Sequence, residues 1–214
     1  NTYNVAVGFY AGKAITTGVQ NTIIGGLAGD AITTANSNVA VGYAALSTNI
    51  DGDSNTAIGF ESLLTLEPAD GHSYNTALGY RSGRLMTTGV NNTIMGGLAG
   101  DALTTGSGSV ALGYNALGST TTAIENVAIG INALVANVDG AKNVAVGSYA
   151  LTALDPASAT DMYNVAVGHQ AGTAMTTGNK SVLIGGLAGD AATTATRDVF
   201  VGYSAGGSIT TGGN

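Results

Sequence analysis

Asn21-Thr22-Ile23-Ile24-Gly25-Gly26-Leu27-Ala28-Gly29-Asp30 is followed, seventeen residues after its first asparagine, by Asn38-Val39-Ala40-Val41-Gly42-Tyr43-Ala44-Ala45-Leu46. The shared element, Asn-x-x-aliphatic-Gly, recurs along the whole chain. Its starts are Asn4, Asn21, Asn38, Asn55, Asn75, Asn92, Ser109, Asn126, Asn143, Asn164, Ser181 and Asp198. Successive starts are 17 residues apart except for 20 before Asn75 and 21 before Asn164, so the chain reads as twelve coils, two of them lengthened.

The fifth residue of every coil is glycine: Gly8, Gly25, Gly42, Gly59, Gly79, Gly96, Gly113, Gly130, Gly147, Gly168, Gly185 and Gly202. Such invariance within one chain points to a corner with positive φ, or to coils that approach too closely for a Cβ. The second residue is always Val or Thr and the fourth always Val, Ile, Leu or Met, which predicts a short strand. The eighth is always Ala or Ser and the ninth Gly or Leu. A later apolar position, as at Ile15, Leu66 and Met175, often followed by Thr-Thr, marks another extended leg and a turn. A helical repeat is excluded, since 17 residues with two or more glycines are too few and too flexible for a helix pair. The fold class is therefore all-β, a parallel β-solenoid or β-roll whose coils bury little alone and gain stability by stacking. Twelve coils spaced by about 4.8 Å make a rod on the order of 60 Å long.

Alternation along the strand makes the third residue face opposite to its neighbours. With the second and fourth side chains expected inside the coil, the third (Ala6, Ile23, Ala40, Ala57, Ala77, Ile94, Ala111, Ala128, Ala145, Ala166, Leu183 and Phe200) is expected outside. It is never polar, which predicts that this outer face is covered, most simply by a homo-oligomer of three chains.

The whole chain, 1–214, reads as one solenoid array with longer repeats at 4–74, 75–163 and 164–214. Each of the first two closes on a loop carrying one of the two prolines, Pro68 and Pro156. Neither end reads as a polar cap, so the array is expected to be a piece of a longer fibre.

Composition narrows the function. With 34 Gly, no Cys, no Trp and only 9% charged residues, disulfide and thiol chemistry are absent. A net charge of −7 with six scattered Lys and Arg offers no footprint for nucleic acid. No apolar run approaches the roughly 20 residues of a membrane span, so membrane insertion is not expected.

The segments Asn4 to Ala11, Asn38 to Ala45 and Asn164 to Ala171, of the form Asn-Val-Ala-Val-Gly-x-x-Ala, resemble the repeat of trimeric autotransporter adhesin heads. Asn21 to Gly29 and Asn92 to Gly100 are similar to the Asn-Thr-x-Ile-Gly-x-x-Ala-Gly arrays of phage tail-fibre proteins. The resemblance spans all twelve coils and departs in coil length, which is shorter in the adhesin heads. It implies a left-handed, trimeric β-roll serving as a structural stalk or a surface-contacting head, in a virion tail fibre or at the cell surface, with a cell-surface receptor or glycan as partner. A self-assembling extracellular filament, a homopolymer with no receptor role, is the alternative.

Candidate chemistry is sparse. The coil-start residues, the nine asparagines with Ser109, Ser181 and Asp198, form a structural ladder, since each can bond a neighbouring backbone group. Gly-Gly-Leu-Ala-Gly-Asp, ending at Asp30, Asp101 and Asp190, resembles calcium-binding β-roll repeats, but its copies lie four or five coils apart where calcium needs adjacent turns. His72 and His169 are isolated. Glu61 with Glu67 or Asp70 is the one carboxylate cluster in which a glycosidase pair would be sought, and it lacks a counterpart in the second insertion. No catalytic residue, metal ligand or cofactor is expected. Thr-Thr pairs raise an ice-binding face, but four coils break the array. The insertion loops hold the densest polar residues, and Glu67, Asp70, His72, Asp155 and Asp161 are the expected surface contacts.

Overall fold

A computed structural model of the chain describes residues 3–68 and 71–212. Each coil contributes one three-residue strand: β1 (Val5–Val7), β2 (Thr22–Ile24), β3 (Val39–Val41), β4 (Thr56–Ile58), β5 (Thr76–Leu78), β6 (Thr93–Met95), β7 (Val110–Leu112), β8 (Val127–Ile129), β10 (Val144–Val146), β12 (Val165–Val167), β13 (Val182–Ile184) and β14 (Val199–Val201). They form one twelve-stranded parallel sheet in chain order. The insertions leave its register intact: Thr56 still pairs with Thr76, and Val144 with Val165. A second, two-stranded parallel sheet joins β9 (Gly140–Ala141) to β11 (Thr160–Asp161), inside the second insertion. The molecule is an all-β parallel solenoid.

The corner after each strand depends on glycine. Gly96 has φ +134°, and a methyl group on it would lie 2.5 Å from the Gly113 carbonyl oxygen of the next coil. The same collision with the next coil's glycine recurs from Gly8 to Gly185. Inside the coil run the coil-start residues. Each backbone N–H from Asn21 to Asp198 donates to the side-chain oxygen of the coil before, at 2.8–3.3 Å. Seven asparagine amides also donate to a carbonyl fourteen residues on, as Asn126 Nδ2 does to Gly140 at 2.8 Å. From Asn21 to Ser181 these residues are buried, and the ladder satisfies polar backbone groups that water cannot reach.

The strand faces the opposite way from the sequence expectation. The third residue points inward, with Ala40, Ala57, Ala111 and Ala145 fully buried. The second and fourth point outward, and Val7, Ile24, Leu78 and Val201 are exposed. The reason is volume exchange across a narrow coil. Wherever the third residue is large (Ile23, Ile94, Leu183, Phe200), the ninth is glycine, and wherever the ninth is leucine, the third is alanine. A methyl group on Gly100 would come within 3.3 Å of Ile94 Cδ1, and one on Gly206 within 2.6 Å of Phe200. The two positions share one space and are never both large; where both are small, as with Ala6 and Gly12, Ala77 and Gly83, and Ala166 and Gly172, side chains of adjacent coils such as Ile23, Leu63 and Leu151 reach into it.

Candidate functional site

The structure offers two surfaces on which a partner could act, the outward sheet face and the two insertions. The outward face is built from the second and fourth residues of twelve strands, none of which is charged. Beside them stand Tyr43, Phe60 and Tyr80, on successive coils, exposed and stacked at centroid spacings of 5.5 Å. Tyr114, Ile131 and Tyr203 continue the same flank. At about 3.3 Å per residue and 4.8 Å per coil the strip measures roughly 10 Å by 50 Å. An apolar strip of about 500 Å² is as large as the largest patch on an ordinary monomer. Charge is placed elsewhere: Lys13 pairs with Asp30, Arg81 with Glu61 and Arg84 with Asp101, each at 2.9 Å.

The insertions share one docking device. In the coil before each, an asparagine takes the place of the usual apolar residue. Its amide closes a turn, Asn49 on Gly52 at 2.9 and 3.0 Å, and Asn137 on Gly140 at 2.7 and 2.9 Å. Pro68 and Pro156 then pack over those glycines, where a methyl group on Gly52 would meet Pro68 at 2.8 Å. Glu67 accepts a hydrogen bond from the Ile50 N–H at 2.7 Å, and Asp155 accepts one from Val138 at 3.2 Å. Both side chains thus hold their insertion onto the preceding coil. Burial pushes the Glu67 carboxyl above its usual range despite the Ile50 bond, and neighbouring Asp51 adds to the push.

The remaining expected contacts fall differently. Asp70 lies outside the described residues. His72 is exposed, stacked on Tyr74 with ring centroids 6.0 Å apart, and 4.0 Å from Asp53. Asp161 accepts from Lys142 at 2.7 Å and from the Tyr163 hydroxyl at 3.1 Å. The hydrogen bond from Lys142 holds its carboxyl below the usual range. Glu61 and Glu67, the carboxylates of the sequence cluster, are engaged apart from each other, one by Arg81 and the other by Ile50.

A cleft of about 310 Å³ opens beside the second insertion, lined by Thr122, Ala123, Ile124, Asp139, Ala141 and the loop residues Ala159 to Asp161. No sequence signal marked it, because its lining comes from three coils and from positions that are polar in some coils and apolar in others.

The motif ending in Asp30, Asp101 and Asp190 belongs to an ion-pair ladder. Asp30 meets Lys13 and Asp101 meets Arg84, each cation standing one coil earlier. Burial draws the Asp30 carboxyl upward, but hydrogen bonds from Ser47 and Lys13 outweigh it and leave the group below its usual value. Thr173 stands where the third copy would need a cation, and Asp190 Oδ1 is buried without a partner. Among the described residues no group of three or more His, Cys, Asp or Glu is placed to hold a metal. The threonine hydroxyls at Thr16, Thr87, Thr104, Thr176 and Thr193 donate to carbonyls of the next coil, so the repeat's threonines stitch the coils together. Among the described residues no helix is long and apolar enough to cross a membrane.

Comparison of the chain with protein-family models, with curated proteins and with solved structures finds no match.

Proposed function

We propose that this chain is a non-catalytic segment of an extracellular attachment fibre, such as a phage tail fibre or a surface adhesin, in which the outward sheet face packs against two further copies. One observation carries the reading: an uncharged strip, apolar except for Thr22, Thr56, Thr76 and Thr93, runs along all twelve coils on the side of the strand away from the solenoid core. A strip of that size costs free energy in water along its whole length, and identical strips on parallel rods bury one another in register. The number three comes from the resemblance to trimeric fibres, and the burial of the face comes from its chemistry. The insertions, held against a rigid rod by their own docking contacts, are the places where a fibre meets a surface.

Two measurements test this. Light scattering on the purified chain is expected to return the mass of three copies, and a stable monomer overturns the packing. Fluorescently labelled fibre is expected to adhere to a subset of a bacterial cell panel, and to lose adhesion when both insertions are replaced by a plain 17-residue coil. Adhesion to no cell, or adhesion unchanged by the replacement, overturns the attachment role. Indefinite filaments in negative stain would instead favour an end-to-end polymer.

A further inference from the structure

We infer that the cleft at the second insertion is a binding site for a neutral saccharide. This deepens the attachment reading and rests on it.

The two insertions differ at equivalent coil positions. In the first, the position sixteen residues into the coil is Asn36, followed one coil later by Asp53. Asp53 Oδ1 accepts from the Asn36 backbone at 2.6 Å and from its amide at 3.2 Å, so a polar pair occupies the floor. In the second insertion the same positions are Ile124 and Ala141, and both line the cleft. Built on the same docking device, the second insertion has exchanged a self-satisfied polar floor for an apolar one.

The rim has complementary chemistry. Asp139 accepts the Thr122 hydroxyl at 2.6 Å through Oδ1, leaving acceptor capacity on its other oxygen. Asp161 is held by Lys142 and Tyr163, so its charge is balanced while lone pairs remain. An apolar floor of Ala123, Ile124 and Ala141 between oxygen acceptors matches a pyranose, which offers an apolar C–H face and a belt of hydroxyl donors. A free ammonium would find only Asp139 unmatched by a cation, because Lys142 already brings one to Asp161, and it would leave the apolar floor uncovered. The volume, about 310 Å³, is at the lower end of small-ligand pockets, so one or two sugar rings are the matching size.

Ligand-observed saturation-transfer NMR on the full chain tests the assignment, with methyl β-galactopyranoside, methyl α-glucopyranoside and N-acetylglucosamine as probes and n-butylammonium as the cationic control. At least one sugar is expected to receive saturation, and the control none. The signal should vanish in Ile124→Asn/Ala141→Asp, which rebuilds the floor of the first insertion and so keeps a pairing that this fold already tolerates. It should weaken in Asp139→Asn. Absence of transfer to every sugar, transfer that survives the double variant, or transfer to n-butylammonium alone overturns the inference. If the double variant still adheres to cells, the cleft assignment fails while the attachment role stands.

Discussion

At the scale of single residues, the fold rests on two positions per coil that tolerate almost nothing else. Gly96 and Gly202 have nearly the same φ, +134° and +130°, but an alanine methyl at Gly96 would strike the Gly113 carbonyl at 2.5 Å, whereas at Gly202 the nearest atom is Ala205 Cβ at 3.9 Å. Gly202→Ala is expected to cost only the backbone strain, about 1–3 kcal/mol. Gly96→Ala must also push two coils apart, adding roughly another 1–3 kcal/mol. Denaturant unfolding of the two variants separates the contributions, and equal losses would mean that φ alone demands the glycine. The ladder offers a second test at Asp198, whose Oδ2 is buried without a partner. An asparagine there would present an amide donor, the group that seven other coils use to satisfy a carbonyl. Asp198→Asn is therefore expected to stabilise the last coil by about 0.5–1.5 kcal/mol, read as slower hydrogen exchange at residues 198–212. Unchanged or faster exchange would count against the ladder as a source of stability.

At the scale of the coil, packing trades volume between the strand's middle residue and the ninth position, which are never both large. Ala111 and Leu117 are both fully buried. Ala111→Leu alone overfills the coil and is expected to cost about 1–3 kcal/mol. Leu117→Gly alone opens a cavity costing about 2–5 kcal/mol. The pair together recreates the pattern of Ile94 with Gly100, so the double variant should lose at least 1 kcal/mol less than the sum of the singles, a coupling of about the size expected for residues in contact. Strict additivity in the double-mutant cycle would show that the two side chains do not share a space. The residues of this exchange are visible in the sequence, but the orientation of the strand emerged only from the volumes that the structure sums across a coil. Reading the second and fourth residues as interior on hydrophobicity alone reversed that orientation, because no position of the strand is charged and all but the four threonines are apolar.

At the scale of the whole molecule, the proposed packing of three chains rests on the outward strip. Leu112 in β7 lies near mid-length on that strip, while Thr105 is exposed elsewhere on the coil. A lysine at Leu112 would bury an ammonium in a packed face, so Leu112→Lys is expected to reduce the light-scattering mass from three chains to one with its β-sheet circular dichroism retained. Thr105→Lys should leave the mass unchanged. A lysine at Leu112 that does not alter the mass would place the contact on another face.

What the amino-acid sequence determined by itself was the architecture: the period, the parallel stacking, the glycine corner and the coil-start ladder all follow from residue types repeated at fixed spacing, since stacking places equivalent residues on top of one another. It also located the two insertions. Three things were decided only by the tertiary structure. The first is which side of the strand faces the core, because that depends on volumes summed across a coil. The second is the left-handed backbone at non-glycine residues such as Tyr10, Glu61 and Glu125, with φ between 52° and 57°. These positions accept many side-chain types, because the conformation is imposed by closing the coil, at a cost of about 1–2 kcal/mol per residue. The third is the cleft beside Ile124 and Ala141, whose walls come from three successive coils and exist only once those coils are stacked.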